Sequence, residues 1–321
     1  MPFTLSHPAA VLPLLRRPFV PAALVAGAMA PDAPYFLQTL GIKLSAGVWY
    51  EPYLNATTSH SATGVLTVAL PFTLALLAGY HLLRGPVTAL LPARLAPRAP
   101  EPPAPAPSRG AAHRARHGGW LVLSALIGIA THLVWDSFTH VDGYVVTRAA
   151  FLSEPALGGL TVARVLQHMS TVIGLAALAV HLVRRRRRRP GAGRPGAAAR
   201  PAPAVRWGVT AALALAALLG AAAQTQGIDA YREETVYDTS RPIVREHGDG
   251  VVETTYPSRT EQVPWPTVAE NMLSHAAKGA GAWLTGALLL YSAGWHLRLV
   301  PSGHDGRRRR DRDRDQLDTV R

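Results

Sequence analysis

Apolar residues in this chain gather into blocks separated by polar, proline-rich or arginine-rich segments. Four blocks, residues 64–83, 120–138, 160–183 and 207–223, are long and unbroken, and a fifth, 279–300, is softened by glycine. A helix rising about 1.5 Å per residue needs roughly 20 residues to cross the hydrocarbon of a bilayer. The pattern therefore predicts an all-α, polytopic membrane helical bundle of five spans. Ahead of them, residues 4–15 and 19–30 form two shorter apolar stretches divided by Arg16-Arg17-Pro18. Each is too short to span, and two arginines in the middle of a bilayer would be costly. The stretches read either as a pair of short helices folded into a hairpin or as one kinked span, and no positive charge precedes Arg16 as an ordinary signal peptide would require. In the 224–278 segment, Pro242-Ile-Val-Arg-Glu and Val251-Val-Glu-Thr-Thr-Tyr flank the turn-rich His247-Gly-Asp-Gly, which predicts a small β-hairpin insertion. The chain then divides into a membrane domain (1–183), an Arg-rich loop (184–206), two further spans with their loop (207–300) and a charged tail (301–321).

Composition narrows the function classes. Apolar residues make up 48% of the 321 positions and charged residues 17%, with a mean hydropathy of +0.11. This balance excludes a secreted enzyme, a coiled coil and a wholly disordered chain. There is no cysteine, so disulfides, iron–sulfur clusters and thiolate zinc sites are excluded, and any metal must be held by His, Asp, Glu or backbone oxygen.

The net charge is +13, and 31 of the 33 basic residues are Arg. Six lie in 84–119, nine in 184–206 and eight in the tail from Arg298. Short basic loops stay cytoplasmic, and placing these three segments inside is consistent with five spans, with 32–63, 139–159 and 224–278 then facing outward. The expectation is a multi-pass protein of the cell membrane with a cytoplasmic C-terminus. The Arg184–Arg189 run is accounted for by topology, so no nucleic-acid partner is expected. The Pro/Ala/Arg stretches read as flexible linkers.

Ionisable residues inside a span are expensive and usually functional. In Thr131-His-Leu-Val-Trp-Asp-Ser-Phe-Thr-His140, the side chains of His132, Asp136 and His140 recur at four-residue spacing and fall on one helix stripe. Imidazole and carboxylate at that spacing suit zinc and other divalent metals; the plainer alternative is a His–Asp hydrogen bond between helices. Helix rise puts His132 about 18 Å and Asp136 about 24 Å from Trp120, and His168 about 22 Å from Val183. The three thus reach similar depth on spans of opposite direction. His60, in Asn55-Ala-Thr-Thr-Ser-His-Ser61, and Asp32, in Gly27-Ala-Met-Ala-Pro-Asp32, can face the same outer surface, although either could be an ordinary helix-end residue. His7 joins them only in the hairpin reading. Asn271 and His275 form a further i, i+4 pair for which capping is the simpler role. His81, His181 and His296 sit beside arginine at inner helix ends and read as structural, while His113, His117 and His304 lie in basic segments and read as solvated. No G-x-S-x-G, P-loop or dinucleotide fingerprint is present, and no catalytic residue can be assigned.

Several of these stretches carry a family likeness. Met1-Pro-Phe-Thr-Leu-Ser-His7-Pro, Gly27-Ala-Met-Ala-Pro-Asp32, Ser-His60-Ser, Thr131–His140 and Leu166-Gln-His168 resemble the bacterial membrane family catalogued as domain of unknown function 4184. The likeness runs from residue 1 to about 183; the last two spans and their loop match nothing nameable. More remotely, the order His, Pro-Asp, His-Ser, His-x-x-x-Asp resembles membrane-bound metal-dependent hydrolases, themselves similar to zinc-dependent phospholipase C. The resemblance implies that His7, Asp32, His60, His132 and Asp136 are ligands of a divalent metal such as zinc, and it favours the hairpin. The Thr139-His140 extension departs from the remote pattern, which assigns His140 no role.

Three functions follow as expectations: a metal-dependent hydrolase at the outer membrane surface acting on lipid-linked or phosphoester substrates; a non-catalytic membrane scaffold with structural metal; or a transporter or proton relay. No ionisable chain continues inward from Asp136, which disfavours the last.

Overall fold

The computed structural model describes residues 4–38, 49–92, 110–157, 160–187, 201–225, 227–246 and 252–299. The Pro/Ala run at 97–107, most of the 184–206 segment, the 247–250 turn and the tail with His304 lie outside these. The chain divides into two compact units, residues 1–210 with 288–321, and residues 211–287.

The first unit opens with a 3-10 helix, Thr4–Leu14, whose Pro8 and Pro13 suit a tight, short helix better than a regular α-helix. Then come α1 (Pro21–Met29), a 3-10 turn at Ala30–Asp32, α2 (Ala33–Gln38), α3 (Glu51–Leu54) and α4 (Ala56–Ser59). A π-helical turn at Val65–Ala69 leads into α5 (Leu70–Leu90), followed by α6 (Ala111–Thr139), α7 (Ala150–Ser153), the strand pair β1 (Pro155–Leu157) and β2 (Leu160–Thr161), and α8 (Val162–Arg187). α9 (Pro203–Gln224) leads into the second unit, which holds α10 (Asp229–Arg232), β3 (Glu233–Tyr237), β4 (Ile243–Glu246), β5 (Val252–Thr255), β6 (Ser258–Gln262) and the larger part of α11 (Trp265–Leu299).

Among the described residues, four helical segments are long and apolar enough to cross a membrane: Val65–Leu90, Ala111–Thr139, Val162–Arg187 and Pro203–Gln224. They contain the four strong apolar blocks of the sequence. The softer fifth block falls on α11, a 35-residue helix that is not among those four. α8 and α9 present Met169, Val172, Ile173, Leu182, Leu215 and Leu218 outward, apolar surface of the kind that lipid covers. Two helices reach further than hydropathy predicts. α6 starts at Ala111 and takes in Arg114 and Arg116, so residues 111–119 are helix and not linker. α8 continues through Arg184–Arg187 in its last turn, where cationic side chains interact favourably with the helix dipole.

The heart of the first unit is the contact of α1 with α6. Val11, Leu24 and Ala28 form a buried cluster with Leu14, Phe19 and Ile127 packed around it. Glycine sets the spacing: a Cβ at Gly27 would lie 2.3 Å from the Ala125 carbonyl oxygen, and one at Gly128 2.3 Å from that of Leu24. At Gly174 of α8 a Cβ would lie 2.9 Å from the Ser6 Cβ, so the 3-10 helix lies directly against α8. Small residues permit this backbone approach between helices in lipid, where packing and not water drives association.

In the second unit α9 and α11 meet at Gly220 and Gly279, each of whose missing Cβ would fall within 2.4 Å of the other's carbonyl oxygen. β4 pairs antiparallel with β5, Ile243 opposite Thr255 and Glu246 opposite Val252. Outside it, β3 pairs with β6 from Glu233–Gln262 to Tyr237–Ser258, a ladder without the apolar alternation that would have advertised it. Arg232 lies 4.2 Å over the Trp265 ring and holds the base of this arm.

Candidate metal centre

Three chain segments of the first unit converge on α6. His132 and Asp136 lie one turn apart on its buried stripe with Ser124, Ala125, Gly128 and Ile129, the face packed on α1. The helix ends at Thr139, which places His140 at its C-cap. Asp32 closes the 3-10 turn after α1, and its Oδ2 accepts a 2.7 Å hydrogen bond from Thr4 Oγ1, bringing the start of the first helix to the end of the second. α4 is a single turn capped by Asn55, whose side chain accepts from the Thr57 N–H at 2.8 Å. The Ser59 hydroxyl lies 2.7 Å from the Pro31 carbonyl and 2.8 Å from that of Ala56, tying this turn to Asp32 and setting His60 beside it.

Four imidazoles and two carboxylates result. His132 Nε2 lies 3.2 Å from Asp136 Oδ2 and 3.5 Å from Asp32 Oδ1. His60 Nε2 lies 3.4 Å from Asp136 Oδ2 and 3.9 Å from Asp32 Oδ1. His7 Nε2 is 3.6 Å from Asp136 Oδ1, and His140 Nε2 is 3.5 Å from Asp136 Oδ2. The His7 ring stacks on His132 with centroids 3.9 Å apart.

The outward bonds of these groups set the direction of their lone pairs. His132 Nδ1 meets the Ala28 carbonyl at 2.9 Å, and His60 Nδ1 meets the Ala56 carbonyl at 2.8 Å. A carbonyl only accepts, so each Nδ1 carries the proton and each Nε2 points a lone pair into the cluster. A backbone carbonyl behind an imidazole is the usual support of a metal-ligating histidine. Burial holds His7 well below the ordinary imidazole value, at about 4, with His132 acting in the same direction. Burial also lowers His140, against the pull of Asp136. The His7 ring is therefore neutral at pH 7.

Among the described residues, seven buried side-chain polar atoms have no hydrogen-bond partner: Nε2 of His7, His60, His132 and His140, Oδ1 of Asp32, and both oxygens of Asp136. All belong to this cluster. An unsatisfied buried polar group costs about 1–3 kcal/mol, and a common partner at this place would satisfy all seven. Ligands bound at about 2.1 Å around a tetrahedral zinc stand about 3.4 Å apart, close to most of the separations above. One ligand atom from each of Asp32, His60, His132 and Asp136 lies within 4.8 Å of all the others, so these four residues could hold a divalent metal ion. The neutral-nitrogen and carboxylate donor set fits zinc and similar divalent ions.

The other sequence candidates are not among the residues of this cluster. On α8 the buried residues are Ala163, Gln167 and Gly174, whereas His168 is exposed, so rotation about the helix gives the buried position to Gln167. Asn271 and His275 lie in the second unit, where His275 Nδ1 meets the Asn271 carbonyl at 2.9 Å. His296 bonds the Leu82 carbonyl at 3.1 Å, and His81 packs on Tyr80.

Motif reading assigned no role to Thr4, Ser59, Gly27 and Gly128, which position the cluster's side chains without joining them. Thr4 has a sharp expectation. Thr4→Val keeps the shape but leaves Asp32 Oδ2 unbonded, and zinc affinity measured by competition with a chromophoric chelator should fall about 10- to 100-fold. Thr4→Ser should retain it; equal affinities for Val and Ser would show that this hydroxyl does not orient Asp32.

A family model described as "Domain of unknown function (DUF4184)" matches residues 1–293. The match continues past residue 183, where the recognisable motifs stop, into apolar segments that carry no sharp polar signature. No curated protein and no solved structure matches the chain.

Proposed function

The chain belongs to the family of domain of unknown function 4184, and we propose that it is a metal-dependent hydrolase of the cell membrane, with its site on the outer face and a lipid-like or phosphoester substrate. The observation that carries this reading is the convergence of all seven unpartnered buried atoms on one cluster. Asp32, His60, His132 and Asp136 would hold the metal, with Thr4 and the Ala28 and Ala56 carbonyls orienting them. A bound divalent metal supplies a water activated near neutral pH and polarises a phosphoryl or acyl oxygen. In hydrolysis the water oxygen replaces the alcohol on phosphorus or the acyl carbon, and a proton leaves with the alcohol.

Access favours catalysis over a closed structural site. The side chains of His60 and His140 are each 19% exposed, whereas those of His7, Asp32, His132 and Asp136 are at most 5% exposed. Substrate would enter at that edge. Exposed Trp49, Tyr53, Trp135, Phe138 and Tyr144 lie near His60 and His140 in sequence, and aromatic side chains of this kind favour the head-group zone of a bilayer. That setting suits a substrate with a polar head and an apolar tail.

His132 and Asp136 lie toward the end of α6 opposite Arg114 and Arg116. With basic ends inside, the cluster faces outward. Reporter fusions at Arg116, Arg200 and Arg321 should read inside and one at Gly250 outside; an outside reading at Arg200 would reverse the orientation.

The activity is tested by screening zinc- and manganese-loaded protein in lipid nanodiscs against phosphomonoester, phosphodiester and carboxylic ester substrates. Turnover that disappears in His132→Ala and persists in His181→Ala supports hydrolysis. Tight metal binding without turnover across the panel favours the scaffold.

A further inference from the structure

We propose that the hairpin formed by the N-terminal 3-10 helix and α1 reaches through the bilayer to the leaflet opposite the metal cluster, where Arg16, Arg17 and Arg116 bind the phosphate of an anionic phospholipid. This site lies at the other end of the hairpin and does not depend on what the cluster binds.

α1 runs parallel to α6 in constant register. The Val20 N–H donates to Ser124 Oγ at 3.0 Å, and His132 Nδ1 meets the Ala28 carbonyl at 2.9 Å, each pair 104 positions apart. Leu24 and Gly128, which meet between them, keep the same offset. α1 therefore starts beside Ser124 and ends beside the cluster, and the turn that precedes it points toward the basic end of α6. In that turn the Phe19 N–H donates to the Arg16 carbonyl at 3.1 Å. The Phe19 ring meets Trp120 edge-on, with centroids 5.8 Å apart. Arg116 precedes Trp120 by one helical turn and shares its face, so the arginines of the tip and of α6 come to the same end of the helix pair.

Depth places this end at a membrane surface. Sixteen residues of α6 separate Trp120 from Asp136, about 24 Å of helix, against about 30 Å for the hydrocarbon of a bilayer. Tip and cluster thus belong to opposite leaflets. Arg16, Arg17, Arg114 and Arg116 are all exposed, and guanidinium groups left in hydrocarbon would be costly, so the tip must meet head groups.

Charge selects the occupant. No Asp or Glu occurs in residues 1–31 or 102–135, so neither the hairpin nor α6 short of Asp136 supplies an acid to neutralise these cations. The 301–321 tail carries seven Arg against five Asp, and its net positive charge disfavours it. Guanidinium binds phosphate oxygens through paired, charge-assisted hydrogen bonds. A head group without an ammonium offers that phosphate with no competing cation, which favours an anionic lipid over a zwitterionic one. The Phe19–Trp120 pair gives acyl chains an apolar surface that free phosphate would not use.

The test is lipid preference. Full-length protein in detergent, stripped of lipid, is titrated with short-chain phosphatidylglycerol and with phosphatidylcholine of the same chains, and bound lipid is counted by native mass spectrometry. One arginine near an anionic lipid is worth about five-fold in affinity, so three should make wild type prefer phosphatidylglycerol by about 100-fold. Arg17→Gln and Arg116→Gln should each weaken phosphatidylglycerol by about five-fold and leave phosphatidylcholine unchanged. Arg241→Gln, at an exposed position of the second unit, should change neither. The side chains replaced at the tip are exposed, so the fold is retained. Equal affinity for the two lipids in wild type overturns the site. A preference that survives replacement of Arg16, Arg17 and Arg116 together by Gln puts the lipid elsewhere and overturns it as well. Displacement of phosphatidylglycerol by an equal concentration of inorganic phosphate would reveal a free-anion site and overturn the lipid assignment.

Discussion

Asp136→Asn is expected to remove bound divalent metal and every associated activity while the protein still inserts in the membrane. The substitution keeps the side chain's shape and replaces an anionic oxygen with an amide, a poor ligand. Asp136 faces all four imidazoles, at 3.2–3.6 Å, so a shared anchor is lost and not one ligand among several. Zinc per chain should fall from its wild-type value to near zero. Raising the pH should not restore it, because the defect is a missing ligand and not a protonated one. His132→Ala should lose metal equally and also leave Asp136 without its nearest partner, so some loss of folding is expected there. Asp136→Asn is therefore the cleaner variant, and His181→Ala, away from the cluster, is the control. Full metal content and full activity in Asp136→Asn would refute the metal-dependent hydrolase and return the protein to a scaffold role.

Gly128→Ala is expected to be the most damaging single-methyl change in the membrane domain. The new Cβ would stand 2.3 Å from the Leu24 carbonyl oxygen and 2.8 Å from the Ala28 backbone nitrogen. Both are backbone atoms and cannot rotate aside, so α1 must move off α6. Overpacking of this kind costs about 1–3 kcal/mol, and more where backbone is the obstacle. The displacement also reaches the metal centre, because the Ala28 carbonyl holds His132 and Asp32 follows α1 by three residues. A lowered unfolding midpoint in detergent and weakened zinc binding should therefore appear together. Gly119→Ala, on the same helix with nothing within 4 Å of its missing Cβ, should hold or raise the midpoint, since alanine favours helix by up to about 1 kcal/mol over glycine. Matching midpoints for the two variants would mean that α1 and α6 do not touch at Gly128.

What was legible in the sequence is what depends on local periodicity. Hydropathy located the four long apolar helices, because twenty apolar residues have few other stable forms in lipid. Helical spacing put His132, Asp136 and His140 on one stripe, since three and a half residues or so per turn is a property of the chain itself. Rotation about a helix was not readable. On α8 Gln167 is the buried residue and His168 is exposed, because which side of α8 turns inward depends on the 3-10 helix packed at Gly174 and Ser6. The β3–β6 ladder escaped for a related reason: its strands are almost wholly exposed and carry no alternating apolar signal.

Tertiary structure alone decided which distant residues meet and what holds them. The N-terminal stretches allowed both a hairpin and a kinked span, and the Thr4–Asp32 bond now joins residues 28 apart. The His132–Ala28 bond spans 104 positions, and no spacing rule connects a histidine to a backbone carbonyl so far away. The same packing left all seven unpartnered atoms in one place. Sequence names the groups that can bind a metal, but their lone pairs acquire a common target only when close glycine contacts bring the backbones together.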